Sequence, residues 1–232
     1  GCCATYSSSL NRRDWDGVIF MKRRLRHSES GDARADATML IMVLFFGSLA
    51  YVAMTTNPVY VGVSEGQRAP DLSGSAYDGT TWVDYSLNSS FDPDWVEGSS
   101  DGNWTIVEFM DINCGYCKKS ATTIGENLEL IDNSPATGRA NVKFVAVAIS
   151  LPLGGDEYTK ENVIKFRNTY GHDFHYLDGM ADDTQKEKWQ IKATPTYFMV
   201  KPNGVIAWAG AEHSDEDVWD AYGRLVPLIE GA

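Results

Sequence analysis

Cys114 and Cys117 are the residues best placed by type and spacing to do chemistry. Two intervening residues let one sulfur reach back to the other. A pair so spaced can cycle between dithiol and disulfide, or supply half of a tetrahedral metal site. The chain's other two cysteines, Cys2 and Cys3, are adjacent at the N-terminal end, where neighbouring side chains do not easily bridge. No lipidation motif supports a role for them. Four cysteines in this arrangement do not form a disulfide scaffold. A zinc site would need two further ligands, and the free candidates in the expected exported part are His172, His175 and His213. His172 and His175 have a usable spacing, but the pattern around them predicts a solvated loop before a short strand, so no metal ligand is assigned.

The elements around the pair explain why it would be reactive. Trp104–Met110 is rich in β-branched and aromatic residues and predicts a buried strand ending just before Cys114. From Lys118 to Leu130, Ala121, Ile124, Leu128 and Ile131 recur at helical spacing. Cys114 then lies where a strand gives way to a helix. Unpaired amides and the helix dipole favour its thiolate there, and the thiolate is the attacking species. Cys114 is the expected nucleophile and Cys117 the resolving thiol. Glu108 lies on the strand before them, and alternation along that strand leaves open whether it faces core or solvent.

Further along, 142–149 predicts a second strand, 160–170 a helix with Val163, Phe166 and Tyr170 on one face, and 182–190 a short helix. A third strand spans Thr196–Val200, Lys201–Gly204 forms a turn, and Val205–Trp208 returns. Ser214 is expected to cap a last helix with Asp217 as box partner, and Val218, Tyr222, Leu225 and Leu228 as its apolar stripe. A hairpin or loops are expected around Thr81–Val83. The order strand, C-x-x-C, helix, strand implies a parallel pair with a right-handed crossover, and a closing hairpin adds antiparallel strands. The fold class is α/β.

With these elements in place, Val107-Glu108-Phe109 followed by Cys114-Gly115-Tyr116-Cys117 resembles the thioredoxin superfamily. Ala193-Thr194-Pro195-Thr196 is similar to that family's cis-proline loop, and Lys201–Gly204 to the turn after it. The resemblance covers 66–230 and implies a thioredoxin fold, a central mixed sheet flanked by helices. It implies a cis bond at Pro195 that presents Thr194 beside Cys114 for a substrate strand and keeps a metal from between the sulfurs. It also implies a buried acid at Glu108 that accepts the proton of Cys117, with a raised pKa. Gly66–Asp71 and Phe174–Asp178 resemble the membrane-anchored TlpA-like redoxins, which often serve cytochrome c maturation. Asp111–Cys117, with Gly115-Tyr116 between the cysteines and Thr194 before the proline, is more like the DsbC-type isomerases, without their dimerisation domain. Asn113 stands where thioredoxins carry Trp, Tyr116 replaces their active-site Pro, and the Lys near their buried acid corresponds to Val147 or Ala148.

The 232-residue chain has a net charge of −12, spread unevenly. Residues 1–59 hold seven basic and five acidic residues, so the remainder carries −14. Such acidity keeps a domain soluble, or offers a docking face to a basic partner, and it excludes nucleic acid. Ala37–Met54 is 18 residues without a charge, enough to span a bilayer. Lys22, Arg23, Arg24, Arg26 and Arg34 precede it and only Arg68 follows closely, which predicts a cytoplasmic N-terminus. No small-x-small cleavage site follows before Pro58, so an uncleaved anchor is expected. Met21 with the basic run after it would make a natural start, setting residues 1–20 apart.

The expected organisation is a basic cytoplasmic segment at 1–36, an anchor at 37–54, a linker at 55–65 and a thioredoxin-like domain at 66–232. The domain would face the periplasm or cell surface of a prokaryote. There it would exchange thiols with exported proteins, without a cofactor. A membrane electron donor and apocytochrome c are the partners the resemblance suggests. Asn88-Ser89-Ser90 and Asn103-Trp104-Thr105 are glycosylation triplets on the outer side. Two other functions fit less well. A copper metallochaperone would need His175 or His213 near Cys114 and usually spaces its cysteines by three residues. A thiol peroxidase would need a Thr-x-x-Cys context, where Asp111 and Ile112 stand instead.

Overall fold

A computed structural model describes residues 34–54, 59–132, 138–152, 154–180 and 184–228, the stretch 128–132 by its backbone only. The chain divides into two units, 1–58 and 59–232. In the first, helix α1 runs Arg34–Met54, and by length and composition it can cross a membrane. The basic residues at 22–26 and the expected linker start at 55–58 lie outside the described residues.

The second unit is built on a seven-stranded sheet in the order β2-β1-β5-β4-β3-β6-β7. Its elements are β1 (Ser73–Tyr77), β2 (Trp82–Ser86), β3 (Asn103–Met110), α2 (Gly115–Asp132), β4 (Asn141–Ala148) and α3 (Lys160–Thr169). They continue with β5 (His175–Asp178), α4 (Thr184–Lys188), β6 (Thr196–Val200), β7 (Ile206–Ala209) and α5 (Val218–Leu225). Strands β3, β4 and β5 are parallel neighbours, while β6, β7 and the β1–β2 hairpin are antiparallel. Thioredoxin-like order, with the hairpin at 73–86, is thus what the chain adopts.

Strand β3 lies inside the sheet, between β4 and β6. Its two faces feed two cores. Ile106 and Met110 pack with Cys114, Cys117, Ala121, Ile124, Val163, Phe166 and Tyr222 beneath α2, α3 and α5. Val107 and Phe109 pack on the other side with Val145, Leu177, Trp189 and Phe198. A strand buried on both faces has no polar side, so alternation along it could not orient Glu108.

Four local expectations are corrected. Asp217, not Ser214, is the cap of α5, and its carboxylate accepts the amides of Trp219 and Asp220 at 2.8 and 2.9 Å. Leu228 lies beyond that helix and is exposed, where it bridges to Arg139, so the apolar stripe ends at Leu225. His172 is not in a solvated loop. It is buried, with one ring nitrogen 2.6 Å from the Tyr176 hydroxyl and the other 2.9 Å from the Ala121 carbonyl. Its aromatic neighbours Phe174 and Tyr176 stack on it, a contact that spacing alone does not reveal. The expected linker residues from Tyr60 on are also structured. Arg68 N donates to the Tyr60 carbonyl and Gly66 N to that of Ile206, so the compact unit begins at Val59.

Candidate active site

The site forms where β3 ends. The Cys114 carbonyl accepts the amide of Lys118 at 3.1 Å, the first bond of α2, which puts Cys114 in the cap position of that helix. Amides without helical partners surround its sulfur. The turn is shaped by Asp111, which is buried. One carboxylate oxygen accepts Asn113 N at 2.8 Å and the other accepts Leu151 N at 2.7 Å. Asn113 clamps the same neighbouring loop twice, donating to Asp156 O and accepting from Asp156 N, each at 2.9 Å. Gly155 is required at this contact: its φ is +121°, and a Cβ there would lie 2.5 Å from the Asn113 amide oxygen. Asn113, which stands in place of the thioredoxin Trp, is therefore a loop tie.

The two thiols differ. Both are free, and Cys114 is 6% exposed. Its S–H donates to the Thr194 carbonyl at 3.2 Å. Burial opposes ionisation of Cys114, but the Thr194 hydroxyl and the amides of Cys117 and Tyr116 outweigh it, and its pKa falls below the ordinary thiol value. The Thr194 hydroxyl is buried and makes no hydrogen bond in the reduced site, so it is free to turn to the Cys114 thiolate when one forms. Cys117, one turn into α2, is 1% exposed. Burial, joined by the nearby charge of Glu108, pushes its pKa far up. The first sulfur is poised to attack, and the second must be relieved of a proton before it can.

Around them stand the other predicted residues. The Thr194–Pro195 bond is cis, and it sets Thr194 against Cys114. Gly115 and Tyr116 are exposed; Tyr116 is 76% accessible, and a Cβ on Gly115 would meet no atom within 4 Å. The face in front of Cys114 is thus open to a polypeptide.

Glu108 is only 3% exposed and lies on the face of β3 that looks toward the cysteines. Burial lifts its pKa to about 7, against the hydrogen bonds it accepts from Tyr197 and Ser120. Tyr197 donates to Oε1 at 2.9 Å and Ser120 at 3.5 Å. Tyr197 was not singled out from sequence. It is the cross-strand partner of Glu108 in the β3–β6 ladder, a pairing of residues far apart in the chain.

The predicted metal alternatives find their histidines elsewhere. His172 is engaged as described, and His213 bonds Glu65 at 2.6 Å and stacks on Trp208. Among the described residues no cluster of three or more His, Cys, Asp or Glu is arranged to hold a metal ion.

Residues 91–222 match the family model for the thioredoxin-like domain. The chain belongs to the thioredoxin-like family. Its fold is similar to the thioredoxin domain of a thiol-disulfide oxidoreductase from Bacteroides vulgatus, with TM-score 0.50 and 17% identity over 70% of this chain and 96% of that one. It is equally similar to a thiol:disulfide interchange protein from Bacteroides sp., with TM-score 0.50 and 16% identity over 70% and 88% of the two chains. No curated protein matches the chain in sequence.

Proposed function

We propose that this chain is a membrane-anchored, extracytoplasmic protein-disulfide oxidoreductase that exchanges the Cys114–Cys117 dithiol with disulfides of exported proteins. The observation that carries this reading is the asymmetry of the two thiols at one strand–helix junction. Cys114 is acidified and lies beside the exposed Gly115 and Tyr116, whereas Cys117 is almost wholly enclosed. In the reducing direction, the Cys114 thiolate attacks a substrate disulfide. An S–S bond breaks, a mixed disulfide forms, and the first substrate thiolate takes a proton from water. Cys117 passes its proton to Glu108 and attacks the Cys114 sulfur. The second substrate thiolate leaves and is protonated in turn. Thr194 and Pro195 hold the substrate segment beside Cys114, and Gly115 and Tyr116 border it.

The anchor reading rests on α1 and on the basic residues before it. In it, 1–36 is cytoplasmic, 37–54 spans, and the compact unit that begins at Val59 works in the periplasm or at the cell surface. A membrane electron donor would then reduce the pair, and apocytochrome c is one candidate substrate. Reduction of a disulfide-bonded peptide by the full chain tests the chemistry. Cys114→Ser should abolish turnover, and Cys117→Ser should accumulate mixed disulfides visible on non-reducing gels. Full activity in Cys114→Ser would refute the mechanism.

A further inference from the structure

Glu108 and Cys117 are both closed off from solvent, yet the proton that leaves Cys117 must reach water in every reducing cycle. A cavity of about 600 Å³ opens beside the site, bordered by Tyr116, Ser120, Pro195, Tyr197, Trp208 and Trp219. Glu108 does not line it. The two side chains that hydrogen-bond to Glu108, Ser120 and Tyr197, both do. The Ser120 hydroxyl also donates to the Cys117 carbonyl at 3.1 Å, the shorter of its two contacts, and so touches the helix turn that carries the resolving thiol. Tyr197 is held in place by strand pairing opposite Glu108.

We propose that the Tyr197 and Ser120 hydroxyls are the port through which Glu108 trades its proton with water in this cavity. The inference rests on Glu108 accepting the proton of Cys117. The S–H bond of Cys117 breaks and an O–H bond forms on Glu108. The carboxyl proton then passes to the hydroxyl oxygen as that hydroxyl releases its own proton to cavity water, and the side chains rotate back. No electrons move in this step. Tyr197 and Ser120 are positioning residues, acting through Glu108. The titratable groups that face Glu108 are Cys117 from α2, Tyr197 from β6 and Tyr176 from β5. Beyond Tyr176 lie Arg167 of α3 and His172, whose pKa burial lowers. The ion pairs among the described residues do not include Glu108.

The test uses the full chain in detergent, with Cys114 first converted to its mixed disulfide with glutathione. Release of glutathione by Cys117 is timed from pH 5.5 to 9. A hydroxyl donated to a carboxylate favours the ionised form, so Tyr197→Phe should move the acid limb of the profile upward by about one to two pH units. In repeated turnover of a disulfide-bonded peptide with excess dithiothreitol, where Glu108 must shed its proton before each new cycle, the Tyr197→Phe, Ser120→Ala double variant should also lower the high-pH plateau several-fold, because Glu108 is left with no route to the cavity. Both results are required. A Tyr197→Phe profile that overlays the parent, or an undiminished plateau in the double variant, overturns the port. Glu108→Gln separates the two readings. Loss of its acid limb upholds Glu108 as the base whatever the port variants do, and an unchanged profile removes the base and the port together.

Discussion

Cys114 and Cys117 are chemically identical in sequence and unlike in the fold, because one caps a helix and the other is buried a turn later. Iodoacetamide should therefore alkylate Cys114 of the reduced protein with a midpoint below the ordinary thiol range, and leave Cys117 untouched until the domain unfolds. Equal labelling of both would contradict the asymmetry. Glu108 makes a second claim at this scale. Its folded pKa of about 7 lies above the reference of 4.5, so its contribution to stability is present in full below pH 4.5 and is lost as pH rises through 7. The shift corresponds to about 3 kcal/mol. Glu108→Gln, which can still accept the Tyr197 hydroxyl, should stabilise the reduced domain at pH 8 by up to that amount and hardly at all at pH 4.5. Urea unfolding at both pH values reads this directly. The cysteine pair was legible from spacing alone. The orientation of Glu108 was not, because β3 is buried on both faces, and Tyr197 was not, because its role depends on a strand register between residues far apart in the chain.

Among the elements, strands and helices were read from sequence to within a few residues, since the hydrophobic runs at 104–110, 142–149 and 196–200 are buried strands and leave little choice. The ends and loops were harder. Ser214 and Asp217 fit a capping box by spacing, yet the Asp217 side chain takes both free amides itself. Asp217→Ala should cost about 1 kcal/mol, whereas Ser214→Ala should change stability by less than about 0.5 kcal/mol, as thermal unfolding of the two variants would show. Asp111 ties the loop before Cys114 to the loop after β4 through two amides. Asp111→Ala leaves both part-buried donors without their acceptor and should cost about 2 kcal/mol while slowing turnover, since the cap of α2 is no longer held in position. Nothing in the local sequence marks this tie, because its partner at Leu151 comes forty residues later.

At the scale of the molecule, the charge distribution and α1 belong to one reading. A basic segment, a helix without charge from Ala37 to Met54 and an acidic domain follow one another in the chain. Expressed in full in a bacterium, the protein should sediment with membranes and resist extraction by carbonate, and its domain should be cut by protease added outside the inner membrane. Recovery in the soluble fraction would remove the anchor and leave the site chemistry intact. The central claim is that Cys114 and Cys117 form one reversible redox couple with Cys114 as the attacking sulfur. Equilibration of the full chain with glutathione buffers, followed by acid quench, alkylation and mass measurement, tests it most directly. The account predicts a single two-electron transition within about −120 to −270 mV, with a Cys114–glutathione adduct accumulating in Cys117→Ser. No transition in that range, or an adduct that forms on Cys117 when both cysteines are present, would contradict it.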